Sequence, residues 1–292
     1  MWRGDRWPAC ERPLFAGLCR SVGGWWMNVV VCIKQIIDPE IPAEQFKLDP
    51  ASKRQVRGGL SLVISAYDQN ALEVALQLRE KAGGKITALS LGEPEAQGAV
   101  KSAMGMGIDA GVLVSDPALA GSDSFGVAHI LARAIQKIGL PDLILTGCVS
   151  GDTGNKMIGA LLADELGMPS MSFVSRIEAK DGKVVARRIV EDGYQLVEAP
   201  MPLVASILSD DTNVPRYSKL KDIMAAARKT VPVWKATDLG VNLACVGPQG
   251  RRLHVRDVAL VQRDSRCELV SGETPAEQAD RLATRLRELK VI

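Results

Sequence analysis

Short apolar runs alternate with stretches of helical periodicity along the first half of this chain. The runs at 28–34, 85–91, 111–114 and 142–146 are four to seven residues long and rich in Val, Ile and Leu. That is the pattern of strands covered on both faces. Between them, Ala71, Ala75, Leu78 and Leu72, Leu76 recur at helical spacing, and Gly83-Gly84 ends the stripe. Helices are also predicted over about 94–105 and 123–138, and a short strand at 60–64. Ser65 and Asp68, at S-x-x-D spacing, resemble a capping box opening the first helix. Strand and helix in alternation call for a parallel sheet with helices on both faces.

After residue 170 the pattern changes. Strand-like runs at 172–179, 183–190, 194–198 and 202–208 are separated by Lys180-Asp181-Gly182 and Asp192-Gly193, which are turn signals. An antiparallel ribbon extending or edging the parallel sheet is expected. Pro215-Arg216-Tyr217 interrupts, and a short helix is predicted over 218–228. The stretch 229–270 carries few core signals and reads as an extended arm. Thr274-Pro275-Ala276-Glu277 starts a last helix with N-cap, Pro and Glu in the favoured positions, and Ala279, Leu282, Ala283, Leu286 and Leu289 give it an apolar stripe. That helix either docks on a partner chain or packs back on its own domain. The expected organisation is an extension over 1–26, without periodic pattern and disordered, an α/β domain over 27–228, and an arm with its helix over 229–292.

The stretch 141–167, PDLILTGCVSGDTGNKMIGALLADELG, joins a buried strand to an amphipathic helix through a loop of small residues. Gly147, Gly151, Gly154 and Gly159 permit tight turns and close approach of a ligand to the backbone. Asp152, Thr153 and Asn155 are candidates for the helix cap. Met157, Leu161 and Ile158, Leu162, Leu166 supply the helix stripe. Free N–H groups at a helix start, at the end of a parallel strand, favour an anion such as a phosphate. An ordinary strand-to-helix turn gives the same pattern, and the loop is neither a Walker A motif nor GxGxxG.

Composition narrows the chemistry. In 292 residues the formal net charge is +2 with 24% charged residues, which gives no nucleic-acid or membrane footprint. No apolar run is long enough to cross a bilayer, so direct membrane insertion is not expected. The six cysteines, at 10, 19, 32, 148, 245 and 267, form no CxxC or Cys/His zinc spacing, as in a reducing compartment. Cys32 and Cys148 end predicted strands and read as buried thiols. Of the two histidines, His129 lies in an apolar helical run and His254 beside Arg251 and Arg252, a structural and a solvated position. No catalytic or metal-binding set emerges. Function has to come from a bound cofactor or a partner.

Several segments resemble one family in order along the chain. The run 204–234, VASILSDDTNVPRYSKLKDIMAAARKTVPVW, with Pro215-Arg216-Tyr217 followed by Leu220, Ile223, Met224 and Ala226, looks like the fingerprint of the electron transfer flavoprotein beta subunit (FixA) family. The resemblance extends to strand 29–34, the helix start at 65–73 and the unit 143–167, and covers about 27–292. It implies a doubly wound, mostly parallel α/β sheet of adenine-nucleotide alpha-hydrolase type, with the added ribbon and C-terminal arm. It implies an electron carrier subunit rather than a self-sufficient enzyme. The expected partner is an alpha subunit that holds most of the FAD site. The pair would take electrons from dehydrogenases, typically acyl-CoA dehydrogenases of fatty acid oxidation, and pass them to a quinone oxidoreductase or related acceptor. The implied location is the cytoplasm, or the mitochondrial matrix in a eukaryote.

The resemblance also implies a second nucleotide in this subunit, AMP in ordinary members and a second FAD in electron-bifurcating ones. By segment match its site falls on Cys32, on Ser65, Ala66, Tyr67 and Asp68, and on Gly147, Cys148, Val149, Ser150, Gly151, Asp152, Thr153, Gly154, Asn155, Lys156, Met157 and Ile158. Arg216, Tyr217, Leu220, Ile223 and Met224 match the surface that grips partner dehydrogenases. Two departures stand out. Many relatives carry an Asp-Gly-Asp loop with glutamine where this chain has Val149–Lys156, and some place a glutamate where Ile189 follows Arg188. A nucleotide-binding regulator of the universal-stress type is the alternative of another class, but it would need neither the 215–224 segment nor the arm.

Overall fold

A computed structural model describes residues 26–180, 182–260 and 267–292. The extension expected over 1–26 lies, apart from Trp26, outside the described residues, as do Asp181 of the 180–182 turn and 261–266 of the arm. The chain divides into two compact units. Among the described residues, the first comprises 26–47, 55–180 and 182–256, and the second Leu48–Arg54, 257–260 and 267–292.

The strands are β1 (Met27–Ile33), β2 (Gln35–Ile37), β3 (Leu48–Asp49), β4 (Arg54–Gln55), β5 (Leu62–Ile64), β6 (Gly84–Leu91), β7 (Ala110–Val114), β8 (Leu143–Gly147), β9 (Ser170–Lys180), β10 (Lys183–Val190), β11 (Gly193–Pro200), β12 (Leu203–Ile207) and β13 (Val233–Trp234). The helices are α1 (Ala66–Ala82), α2 (Gln97–Gly105), α3 (Ser124–Ile138), α4 (Ile158–Leu166), α5 (Leu220–Arg228), α6 (Ala236–Leu239) and α7 (Pro275–Glu288). Nine strands of the first unit form one sheet in the order β11-β10-β9-β12-β8-β1-β6-β7-β13. From β9 to β13 every pairing is parallel, while β10 and β11 add antiparallel beyond β9. The expected ribbon is therefore an extension of the same sheet.

Alternate residues along β1 and β8 enter two separate cores, as strands buried on both faces require. Val29, Val31, Leu143 and Leu145 pack with α1, α2 and Ala226 of α5. Val30, Cys32 and Ile144 pack with α3, α4 and α6. The chain runs from β1 outward through β6 and β7, then returns to lay β8 on the other side of β1. The β1/β8 boundary is thus the point where strand order reverses, and in open α/β sheets the crevice that takes a ligand lies beyond the carboxyl ends of the strands at such a point.

Three local expectations change. The domain boundary expected after 228 falls too early. Val231, Ala236, Leu239, Val241 and Val246 are buried, and β13 pairs with β7 through Val233 and Trp234. Short apolar pieces spaced by Pro, Lys and Gly hide this edge strand from any periodicity test. In α4 the buried face is Gly159, Leu162, Ala163 and Leu166, while Met157 is exposed, because the helix begins only at Ile158. The capping box at Ser65 and Asp68 does not form, since both side chains bind other elements.

In the second unit, α7 is capped by the Thr274 hydroxyl, which accepts from the Glu277 N–H at 3.2 Å. Arg285 pairs with Glu268 at 2.9 Å and with Glu288 at 3.0 Å. None of its residues is buried, so its apolar stripe is left open.

Candidate nucleotide crevice and exposed helix

Asp68 is the centre of the crevice. It sits in the first turn of α1, buried, and its two carboxylate oxygens accept N–H bonds from two different strand ends. Oδ2 accepts from Lys34 at 2.8 Å and Oδ1 from Gly147 at 3.0 Å. One carboxylate thereby sets the gap between the ends of β1 and β8. Burial pushes its pKa up to about 7, although the two N–H donors and Lys34 pull it down. A Cβ at Gly147 would lie 2.4 Å from Asp68 Oδ1 and 2.9 Å from the Tyr67 Cβ, so only glycine lets the carboxylate approach.

The loop after β8 folds on itself. Ser150 N–H donates to the Asn155 carbonyl at 3.0 Å, Gly154 N–H to the Ser150 carbonyl at 2.9 Å, and Asn155 N–H to Ser150 Oγ at 3.1 Å. Ser150 and Thr153 share a hydroxyl bond of 2.7 Å. Two ties fix this turn from outside: Gly151 N–H donates to Ser65 Oγ at 3.3 Å, and Lys34 Nζ meets Asp152 at 2.7 Å. Asn155 Nδ2 also bonds Ser124 Oγ at the start of α3. Cys148 N–H donates to the Ile207 carbonyl at 2.8 Å, closing the β12 side.

Of the three candidate caps, none caps α4. Met157 holds the cap position with no side-chain bond to the helix, and Asn155 Oδ1 accepts only from the Met157 N–H, at 2.9 Å. The start of α4 therefore faces the crevice without a side-chain acceptor of its own, which suits an external anion. Close seating of that helix requires Gly159, where a Cβ would come 3.0 Å from Thr146 Oγ1 and 3.2 Å from the Ser206 Cβ.

The structure brings Ser65, Asp68, Gly147, Gly151 and Asp152 together through direct contacts. Cys32 and Cys148 are buried at the same strand ends. Burial, with Asp68 nearby, raises Cys32 to about 12, and burial raises Cys148 to about 11, so both stay thiols and take no part as nucleophiles. Tyr67 and Val149 are half-buried, Ala66, Gly154 and Met157 are exposed, and Ile158 is half-buried. Lys156 is exposed, beside the start of α4. Three residues escaped the sequence reading. Lys34 supplies both a backbone donor and a side-chain partner. Ser90, paired across from Ile33, and Thr146 carry buried hydroxyls with no partner. A hydroxyl near the carboxyl end of a buried strand was the available signal.

Far along α1 lies a second surface. Tyr217 is 99% exposed, Leu220 73%, Ile223 48% and Met224 54%, so these four form an apolar patch on and before α5. A core role for Leu220 is excluded. Arg216 points the other way: its Nε and Nη2 bond Glu73 at 2.8 Å each, and Nη1 reaches Glu80. Burial opposes ionisation of Glu73, but the Arg216 and Gln77 hydrogen bonds outweigh it and hold the carboxyl below its usual range.

Comparison with known proteins shows the family. Residues 56–239 match the electron transfer flavoprotein domain. The beta subunit of the electron transfer flavoprotein of Thermoanaerobacterium thermosaccharolyticum is 33% identical over 91% of this chain and the whole of its own. The chain belongs to the electron transfer flavoprotein beta-subunit (FixA) family. Protein FixA of Azotobacter vinelandii is 34% identical over 84% of this chain and 89% of its own. The caffeyl-CoA reductase-Etf complex subunit CarD of Acetobacterium woodii is 30% identical over 91% of this chain and the whole of its own. Membership places the function in electron transfer, and the α/β sheet is the fold expected of it. Among the described residues no helix is long and apolar enough to cross a membrane, and no cluster of metal-ligating side chains occurs.

Proposed function

We propose that this chain is the beta subunit of a heterodimeric electron transfer flavoprotein. Its alpha subunit would hold the FAD, and the pair would carry electrons from dehydrogenases such as acyl-CoA dehydrogenase to a quinone oxidoreductase or related acceptor, in the cytoplasm or the mitochondrial matrix. The observation that carries this reading is the apolar patch of Tyr217, Leu220, Ile223 and Met224, exposed on a family-matched segment. Lys219 and Lys221 flank it, as suits a transient interface where charge steers and an apolar anchor fixes register. The open stripe of α7 supports docking of the C-terminal unit on the alpha subunit.

The crevice supports a nucleotide, which we take to be AMP. The uncapped start of α4, the Ser150–Asn155 turn and Lys156 would face its phosphate, and the unpartnered hydroxyls of Thr146 and Ser90 offer hydrogen bonds at the strand ends. Asp68 would not touch the phosphate; it holds the two loops at the spacing the nucleotide needs. AMP supplies no redox chemistry, so its contribution there is order and assembly.

Co-expression with the alpha subunit, purification and denaturation would release the bound cofactors for chromatography. One FAD and one AMP per heterodimer supports the reading. Two FAD and no AMP would replace it with a bifurcating form. A chain that purifies alone with a nucleotide, indifferent to the alpha subunit, would refute it in favour of a regulator.

A further inference from the structure

We propose that Arg216 is a positioning residue for the docking patch rather than a contact within it, and that α1 is the post to which it is clamped. This role presupposes that α5 docks a redox partner.

Four successive ties run from one face of α1 to the segment before α5. Asn70 Nδ2 donates to the Asn213 carbonyl at 3.0 Å and to its Oδ1 at 3.1 Å. Gln77 Nε2 donates to the Thr212 carbonyl at 3.0 Å and to Glu73 Oε1 at 3.2 Å. Arg216 reaches Glu73 through its backbone N–H (3.2 Å), Nε and Nη2, and Glu80 through Nη1 and Nη2. The four α1 residues at 70, 73, 77 and 80 follow helical spacing and line one face.

Asn213 is fully buried. Besides Asn70, it takes the Asp210 N–H at 3.0 Å and gives its Nδ2 to the carbonyls of Ser175 (2.9 Å) and Leu208 (2.8 Å). The turn is therefore closed at Asn213 and again at Arg216, and the next residue, Tyr217, turns fully outward. The planar guanidinium spans two carboxylates two helical turns apart, an arrangement that the point charge of lysine does not reproduce. An arginine so engaged has few donors left for a partner protein. α5 itself buries only Ala226. It rests on α2, where Ile223 lies over Gly105 and Lys101 Nζ donates to the Ala227 carbonyl at 3.0 Å, so α2 holds the body of the helix and the Arg216 clamp holds the entry to its apolar face.

The test uses the heterodimer in three forms besides wild type: Arg216→Lys, Glu73→Gln with Glu80→Gln, and all three substitutions together. Hydrogen exchange of the 219–229 amides is followed, with kcat and KM for reduction by an acyl-CoA dehydrogenase charged with octanoyl-CoA. Positioning predicts that Arg216→Lys and the glutamine pair each speed exchange in 219–229 by about tenfold. KM rises together with it, kcat stays, and the combined form is no worse than either. The proposal is overturned if the glutamine pair, which frees Arg216, leaves exchange and KM at wild-type values while Arg216→Lys raises KM. Unchanged exchange in every variant overturns it equally. Should one variant fail to fold, Glu80→Gln alone, at a half-exposed carboxylate, carries the same comparison. If wild type is not reduced by that dehydrogenase, the functional reading fails for that partner while the exchange data still decide the clamp.

Discussion

Replacing Asp68 by Asn removes the charge at the crevice and leaves a nearly isosteric group. The ordinary value for the carboxyl is 3.8, and burial raises it to about 7 in the folded chain. The folded state therefore holds a proton, between about pH 4 and 7, that the unfolded chain has released. Stability must fall as pH rises through that window and level off above it. At 1.36 kcal/mol for each tenfold change, the full effect is about 4 kcal/mol, of which about 2–3 kcal/mol is spread between pH 5 and 8. The amide of Asp68→Asn carries no titrating proton and removes this slope. At pH 5 the wild-type group is the neutral acid, whose hydroxyl oxygen still carries a lone pair toward the N–H of Lys34 or of Gly147; the amide turns an NH2 donor on that N–H instead, at a cost of about 1–3 kcal/mol. The variant should thus be the less stable protein at pH 5, and the gap should close or reverse by pH 8. Urea unfolding of both proteins at several pH values, followed by circular dichroism, measures the difference directly, and shared titrations cancel. A gap that does not change with pH would refute the assignment of a raised Asp68.

Gly147→Ala drives a methyl group to 2.4 Å from Asp68 Oδ1, so it should destabilise by about 1–3 kcal/mol and weaken nucleotide binding, read by urea midpoint and retained AMP. Lys34→Met breaks the bond to Asp152 across partly exposed side chains; stability should change by less than about 1 kcal/mol while the 150–155 amides exchange faster. Leu220→Ala should leave the urea midpoint within about 0.5 kcal/mol, because the side chain is exposed, and yet raise KM for the dehydrogenase; loss of fold would contradict the exposed position. Ending the chain after Val231 removes β13 and buried residues of the first unit, so it should unfold the chain. Ending it after Arg256 should keep the fold and weaken association with the alpha subunit, measured by titration calorimetry.

The alternating runs and helical stripes determined most of the sheet and the sense of its connections. Burial on both faces leaves an apolar strand no other signature, and the Lys180–Gly182 and Asp192–Gly193 turns marked the change to antiparallel pairing. The glycine loop after β8 and the 215–224 segment were legible for the same reason: their meaning lies in neighbouring residues. Three matters were decided only by the tertiary structure. Asp68 looked like a helix cap, because a capping box is a local pattern; its true partners, Lys34 and Gly147, are brought to it by the reversal of strand order. Arg216 looked like part of the exposed patch, because its neighbours in sequence are exposed; its partners Glu73 and Glu80 lie on a helix more than a hundred residues earlier. The stretch after 228 looked like an arm, because two residues of edge strand beside β7 make no periodic signal. In each case local pattern gave the right residue and the fold chose its partner, since charge and hydrogen bonding act through space while periodicity acts only along the chain.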